Sequence, residues 1–309
     1  MNLITSLEGI SSSRSWITVG TFDGVHRGHQ FLIGQLVDQA HRSKEAAIVI
    51  TFWPHPATFF HRAPLANALT SPEEREALLL ELGVDQVLTL QFDHPLAEIE
   101  AADFMQILKN KLNVVQFFAG PNFALGKGRT GSLPRLEEIS RQLGFEIKQM
   151  DPLLSRDGMI SSSQIRADLA SQRLREANQK LGRAYSLSGA VIHGEHRGEK
   201  LGIPTANLDI PSERLVPANG VYVTRALLNG RAYDSVTNIG VRPTFQDPLA
   251  FPRVEPHLLD FKEQLYGHPL TLQFIDFLRP EIKFASGEAL VAQIQKDIAS
   301  AREVLRNEN

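Results

Sequence analysis

The chain has 309 residues, enough for two domains with separate cores. Its 32 Lys and Arg against 35 Asp and Glu give a formal charge of -3, which excludes the basic footprint of a nucleic-acid binder and a polybasic membrane address. Cysteine is absent, so disulfides, cysteine-bound zinc, iron–sulfur clusters and a thiol nucleophile are excluded.

The opening segment Met1–Trp16 lacks the basic start and apolar run of a secretory signal. Apolar runs such as Ala46–Phe52 fall far short of the roughly 20 residues that cross a bilayer. A cytoplasmic protein that binds no membrane and no nucleic acid is expected. The first part of the chain alternates strand-like and helix-like segments. Apolar runs predict strands at Ser15–Val19, Ala47–Phe52, Gln86–Leu90, Val114–Ala119 and Phe145–Met150. Amphipathic stretches predict helices at His29–His41, Pro72–Leu82, Leu96–Leu112 and Leu133–Leu143. Ser71 before Pro72 reads as an N-cap with proline at the first helical position. This alternation predicts a doubly wound parallel sheet, whose ligands bind outside the carboxyl ends of the strands.

Beyond about residue 182 the pattern changes. Strands are predicted at Tyr185–His193, Gly220–Leu228, Arg231–Asn238, Val254–Phe261 and Leu270–Phe277. Asn229-Gly230 marks a hairpin. Ser286 caps a final helix over Glu288–Arg306. This half reads as a small antiparallel barrel closed by a C-terminal helix, with a linker near Gln179–Ala184.

Gly20-Thr21-Phe22-Asp23-Gly24-Val25-His26-Arg27-Gly28-His29 runs from the first strand into the first helix. Its glycines permit a tight turn, and a helix N-terminus suits phosphate. His26 and His29 can face one phosphate and donate to charge that develops there. Two histidines are too few for a zinc site, and a surface pair is the bland alternative. Gly126-Lys127-Gly128-Arg129 only superficially resembles a Walker A loop, since glycine follows the lysine. Ser162 and Ser163 open a predicted helix, with Arg166 one turn in. Alone they read as ordinary caps; beside a phosphate they are hydroxyl and guanidinium donors.

The loop resembles the HxGH nucleotidyltransferases. Thr51–Pro56, Ala119–Arg129 and Ile160–Arg166 extend the resemblance to the N-terminal module of the prokaryotic bifunctional riboflavin kinase/FAD synthetases. That resemblance implies that His26 and His29 stabilise the reacting phosphates of ATP. It places Gly20, Phe22, Asp23, Gly28, Asn122, Ser162, Ser163 and Arg166 on the ATP and phosphate side, and His55, Pro56, Phe123 and Arg129 on the flavin side. Trp53, Ser163 and the run Pro121-Asn122-Phe123 depart from the usual family residues.

In the second half, Thr205 and Asn207 alternate within Arg197–Leu208, so an extended segment turns both to one side. Neutral oxygens together with nucleotide phosphates suit magnesium, while a polar turn is the alternative reading. Glu255 and His257 also share a face. A carboxylate there can deprotonate an alcohol attacking a phosphate, or it can be an ordinary surface glutamate. Pro256 cannot donate a ladder bond, which predicts an edge strand.

Together these segments resemble the riboflavin kinases, whose fold is a six-stranded antiparallel Greek-key barrel. The resemblance implies Thr205 and Asn207 as ligands of Mg2+ and ATP. It also implies Glu255 as base for the ribityl 5′-hydroxyl, and Gly194, Gly198, Lys200, Gly202 and Pro204 at the nucleotide. Glu199, Pro256 and the long segment Gln246–Pro252 depart from the pattern. The expectation is an adenylyltransferase domain over 1–180 with a Rossmann-like fold, and a kinase domain over 183–309. Riboflavin, FMN, FAD, ATP, ADP and pyrophosphate are the expected partners. A chain retaining one activity, or a flavin-binding regulator without turnover, is the rival.

Overall fold

A computed structural model describes residues 14–65, 67–121, 123–155, 158–193, 203–241, 252–261 and 263–308. It divides into two compact units, Met1–Ser162 and Ser163–Asn309. Asn122, Gly194, Gly198, Lys200 and Gly202 lie outside the described residues.

In the first unit, strands β1 (Ser15–Val19), β2 (Ala46–Trp53), β3 (Gln86–Gln91), β4 (Val114–Ala119) and β5 (Glu146–Gln149) form a parallel sheet. Their order is β3-β2-β1-β4-β5. Successive side chains point to opposite faces, and both faces are covered. Ile48 and Ile50 pack on one side with Phe104, Met105 and Leu108 of α3 (Ala101–Leu112), and with Leu136 and Ile139 of α4 (Leu133–Leu143). Ala47 and Val49 pack on the other side with Ile33 and Leu36 of α1 (Arg27–Arg42) and Leu79 of α2 (Pro72–Glu81). Ser71 and Glu74 close a reciprocal capping box at the start of α2, where the sequence predicts a cap. Strand order reverses beside β1, which opens the ligand crevice at the carboxyl ends of β1 and β4.

The helix expected over Leu96–Leu112 is broken. A short turn, His94–Ala97, precedes α3, because the Ile99 carbonyl accepts a bond from Lys127 N at 2.8 Å and leaves the helical ladder. A Cβ at Gly126 would lie 2.6 Å from Ala101 N, so that approach requires glycine.

The second unit contains nearly all of α5 (Ser162–Ala170), then α6 (Leu174–Leu181) and a closed barrel. The barrel strands are β6 (Tyr185–Ile192), β7 (Asn207–Asp209), β8 (Gly220–Leu228), β9 (Arg231–Gly240), β10 (Arg253–Leu258) and β11 (Pro269–Arg279). They close in the order β6-β7-β10-β9-β8-β11. Asn229 and Gly230 both take positive φ, 50° and 76°, as a two-residue hairpin turn demands. Val221, Val223 and Val236 face outward beneath α7 (Gly287–Asn307), packing on Ala301 and Leu305. Tyr222, Thr224, Ser235, Thr237 and Phe274 are buried on the inner face. There Thr224 Oγ1 lies 2.7 Å from both Ser235 Oγ and Thr237 Oγ1, which satisfies three buried hydroxyls at once.

Two expectations change here. The strand carrying Pro256 is no edge: β10 pairs with β9 along its length and meets β7 at Leu208–Val254. Pro256 is tolerated because its carbonyl still accepts from Ala206 N at 2.9 Å, and the neighbouring strand β7 is only 3 residues long. The segment Gln179–Ala184, expected as a linker, begins inside α6 and passes through Gly182, a left-handed helix cap. Helix α6 is fastened to the barrel. Arg175 Nε donates to Asp276 at 2.9 Å, and Asn178 bridges the Phe274 carbonyl and Tyr185 N at 2.8 Å each. Buried Lys180 bonds buried Asp168 of α5 at 2.7 Å.

A fragment starting at Ser161 therefore melts well above one starting at Arg183. The shorter fragment strips an apolar helix face, Leu174, Ala177 and Leu181, from the barrel; burial of large side chains contributes about 1.5–3 kcal/mol each. Scanning calorimetry of both fragments checks this, and equal midpoints would refute the structural role of α5 and α6.

Candidate active sites

The loop between β1 and α1 owes its shape to side chains. Asp23 is buried, and its carboxylate accepts from Leu69 N at 3.0 and 3.1 Å, Thr70 N at 3.1 Å and Thr70 Oγ1 at 3.3 Å. Gly24 N donates to Thr70 Oγ1 at 3.1 Å. Ser162 Oγ donates to the Asp23 carbonyl at 2.8 Å, and Gly20 N to the Ile50 carbonyl at 3.0 Å. Phe22 and Val25 are held at φ of 44° and 38°, the left-handed region where a β-branched residue is strained. Both are buried, so packing over-determines that backbone.

His26 is the N-cap of α1: its Nδ1 accepts from His29 N at 3.3 Å. An accepting Nδ1 leaves Nε2 to carry the proton of a neutral ring. The His26 and His29 rings stack with centroids 3.6 Å apart, and Phe22 meets His29 edge-on at 5.2 Å. A Cβ at Gly28 would lie 3.1 Å from His26 Cε1, so glycine there lets the ring fold over the helix start. His29 Nδ1 is buried with no hydrogen-bond partner among the described residues. Burial first, then the neighbouring His26 and the Arg75 guanidinium, hold the His29 pKa well below the ordinary imidazole value. His29 is therefore held as a neutral ring, and the stacked pair offers ring N–H groups as donors.

The remaining N-terminal residues are placed as follows. His55 caps the short helix Pro56–Phe59, its Nδ1 accepting from Ala57 N at 3.0 Å. Phe123 packs on Phe117 at 5.3 Å. Arg129 ends an exposed turn in which Lys127 pairs with Glu98 at 2.7 Å, so that lysine serves an ion pair. Ser163 and Arg166 belong to the second unit, exposed and half-buried on α5. Sequence reasoning missed Arg75, which is 1% exposed on α2. The only sequence signal was its place directly after Glu74 of the Ser71–Glu74 capping box.

On the barrel, Ala206 pairs with Pro256, and Leu208 with Val254. This antiparallel register sets Asn207 beside Glu255 and Thr205 beside His257, on the outer face. His257 Nδ1 donates to the Pro204 carbonyl at 2.7 Å, which fastens the Pro204–Thr205 segment to β10. Glu255 pairs with Asn238 across β9, an amide to which the sequence reading gave no role. Among the described residues no cluster of three His, Asp or Glu could hold a metal ion. The donor set here is a hydroxyl, an amide and one carboxylate, which fits a magnesium ion brought in on nucleotide phosphates.

A parallel sheet presenting paired imidazoles at its switch point, followed by a closed barrel with this outer face, defines a class: an HxGH nucleotidyltransferase joined to a barrel kinase. The family comparisons agree with it. A model described as FAD synthetase matches residues 10–164, and one described as riboflavin kinase matches residues 181–305. The chain belongs to the bifunctional riboflavin kinase/FMN adenylyltransferase family. Proteins of that description from Listeria monocytogenes and Pseudomonas fluorescens are 33% and 38% identical to it, covering 93% and 92% of this chain and 91% of each of them. That from Escherichia coli K12 is 35% identical over 98% of this chain and 97% of its own. A crystal structure described as a macrolide-efflux protein from Streptococcus pneumoniae has a TM-score of 0.89 at 28% identity, covering 97% of this chain and 98% of that one. Among the described residues of this chain, no helix is long and apolar enough to cross a membrane. The chain phosphorylates riboflavin to FMN and adenylylates FMN to FAD, kinase following adenylyltransferase in sequence.

The lowered His29 pKa has a sign. Below the ordinary imidazole value of about 6.5 the unfolded ring binds a proton that the folded ring refuses, so acid favours unfolding. Stability of the first unit falls as pH drops through that value, and His29→Gln flattens the slope. The 2 tryptophans, Trp16 and Trp53, both lie in this unit, so their fluorescence in urea titrations at pH 7 and pH 5.5 reads it out. An unchanged slope in the variant would mean that His29 titrates normally.

Proposed function

We propose that the two reactions run through the His26–His29 pair and the Glu255–Asn207 face. In the first unit, a phosphate oxygen of FMN attacks the α-phosphorus of ATP, and pyrophosphate leaves. The stacked rings of His26 and His29 donate hydrogen bonds to the charge that develops on the phosphates. Asp23 holds the loop that carries them. Ser162 adds a donor to the triphosphate, with Asn122, Gly20, Phe22 and Gly28 along it. His55, Pro56, Phe123 and Arg129 take the flavin side. The observation that carries this reading is the buried His29 Nδ1, which has no hydrogen-bond partner among the described residues, in a strained and pinned loop.

In the barrel, the ribityl 5′-hydroxyl attacks the γ-phosphorus of ATP and ADP leaves. Glu255 accepts the hydroxyl proton. Thr205 and Asn207 hold magnesium and ATP, with Gly194, Gly198, Lys200, Gly202 and Pro204 at the nucleotide. The ion, when bound, neutralises phosphate charge. The register that seats Asn207 beside Glu255 carries this reading. ATP-consuming flavin chemistry in a cysteine-free chain fits a cytoplasmic protein.

Substituting His26→Ala with His29→Ala lowers FAD formation from FMN by at least 10²-fold, the usual loss for one such donor being about 10²–10³. Riboflavin phosphorylation by the same protein stays near wild type. Equal loss of both activities in the folded variant would overturn the two-site assignment. Conversely, Glu255→Gln keeps shape but accepts no proton. Phosphorylation then drops about 10²–10⁴-fold, mainly in kcat, while FAD formation from supplied FMN persists. Product chromatography with riboflavin or FMN, ATP and magnesium measures both; near-normal kcat would remove Glu255 as the base.

A further inference from the structure

We infer that Arg75 is a positioning residue of the adenylyl-transfer site: its guanidinium ties the carboxyl end of β2 to the loop after β1 and so holds the two imidazoles in register. The inference rests on the assignment of that chemistry to His26 and His29.

Arg75 is 1% exposed. Its Nη1 donates to Thr51 Oγ1 and to the Phe52 carbonyl, both at 3.1 Å. Its Nη2 lies 3.7 Å from Asp23 Oδ1. Thr51 Oγ1 in turn donates to the Thr21 carbonyl at 3.0 Å. The guanidinium also sits 6.0 Å from the Trp53 ring centroid. One cation thus reaches Thr51, Phe52 and Trp53 on one side, and Asp23 directly and Thr21 through Thr51 on the other. The two histidines follow Asp23 by three and six residues, at the N-cap and in the first turn of α1.

Chemistry says why arginine. Burying a charge is expensive, and an apolar side chain could join α2 to the sheet without that cost. The planar fork donates to two neutral oxygens through Nη1 while its charge stays 3.7 Å from the Asp23 carboxylate, a geometry that a lysine ammonium on a flexible stem does not reproduce. Burial above all, then His26 and this guanidinium, disfavour protonation of His29.

The test is Arg75→Lys in the full chain, assayed for both reactions, with His29→Ala in parallel. Misplaced donors that act on the transition state lower kcat and spare KM. A displacement near 1 Å costs up to about 10²-fold, so a 10- to 100-fold fall in kcat for FMN adenylylation is expected, with KM for ATP and FMN nearly unchanged. Riboflavin phosphorylation by the same molecules is unaffected. A folded Arg75→Lys protein with wild-type adenylylation kcat would overturn the inference, since preserved charge would then suffice. Should that variant unfold in the first unit, Thr51→Val removes one acceptor and leaves the cation. A several-fold fall in kcat supports the inference, and no change overturns it. If His29→Ala leaves adenylylation intact, the site assignment fails and this inference with it. If His29→Ala abolishes adenylylation while Arg75→Lys spares it, the role of Arg75 alone fails.

Discussion

A single buried carboxylate in the loop that follows the first strand organises the segment that carries the paired imidazoles. Asp23 reaches backbone amides 46 and 47 residues away, in the Leu69–Thr70 segment. Such charge-assisted bonds are about twice as strong as neutral ones, and their loss would leave a buried cation and two buried amides without their acceptor. The strained backbone at Phe22 and Val25 persists because this anchor and the surrounding packing leave the loop no other arrangement. The stacked imidazoles inherit their positions from it. Preorganised donors need no reorganisation when charge develops, and here the preorganisation traces to one residue that faces away from solvent.

The barrel reaches a comparable end by register. Closure fixes each strand against two neighbours, and the side-chain period of two then decides which residues share a face. A slip by one residue in β10 would send Glu255 inward and Pro256 out. Val254 and Leu258, the buried residues of β10 that alternate with Glu255 and His257, oppose such a slip. The His257–Pro204 bond fastens the approach to β7 in the same way.

Much of this was legible in the chain. Parallel strands covered on both faces are near-continuous apolar runs, so Ile17, Ile48, Ile50 and Phe117 announce their layer. The Asn229-Gly230 turn and the Ser71 cap are local chemistry and need no tertiary context. What escaped depends on distant pairs. Arg75 reads as a solvent-facing helix residue until Asp23 and Thr51 are brought to it. Strand β7, with 3 residues, is too short for a periodic signal and exists through its neighbours. The fastening of α6 to the barrel rests on Arg175–Asp276, partners 101 residues apart. The face shared by Thr205, Asn207 and Glu255 was suggested by alternation within each segment, but their adjacency needed the register.

The inside of the kinase barrel is filled: Leu187, Tyr222, Thr224, Ser235, Thr237, Leu272 and Phe274 are each 0% exposed. Scaffold and proposed recognition are thus separated in space, since Glu255 and Asn207, the groups proposed to act, share the outer wall. Substitutions that retune which alcohol is bound can accumulate outside without opening holes within, where each buried methylene matters by about 1 kcal/mol. A scaffold of this kind can change its substrate gradually, because mutational drift on one surface leaves the folding energy on the other untouched.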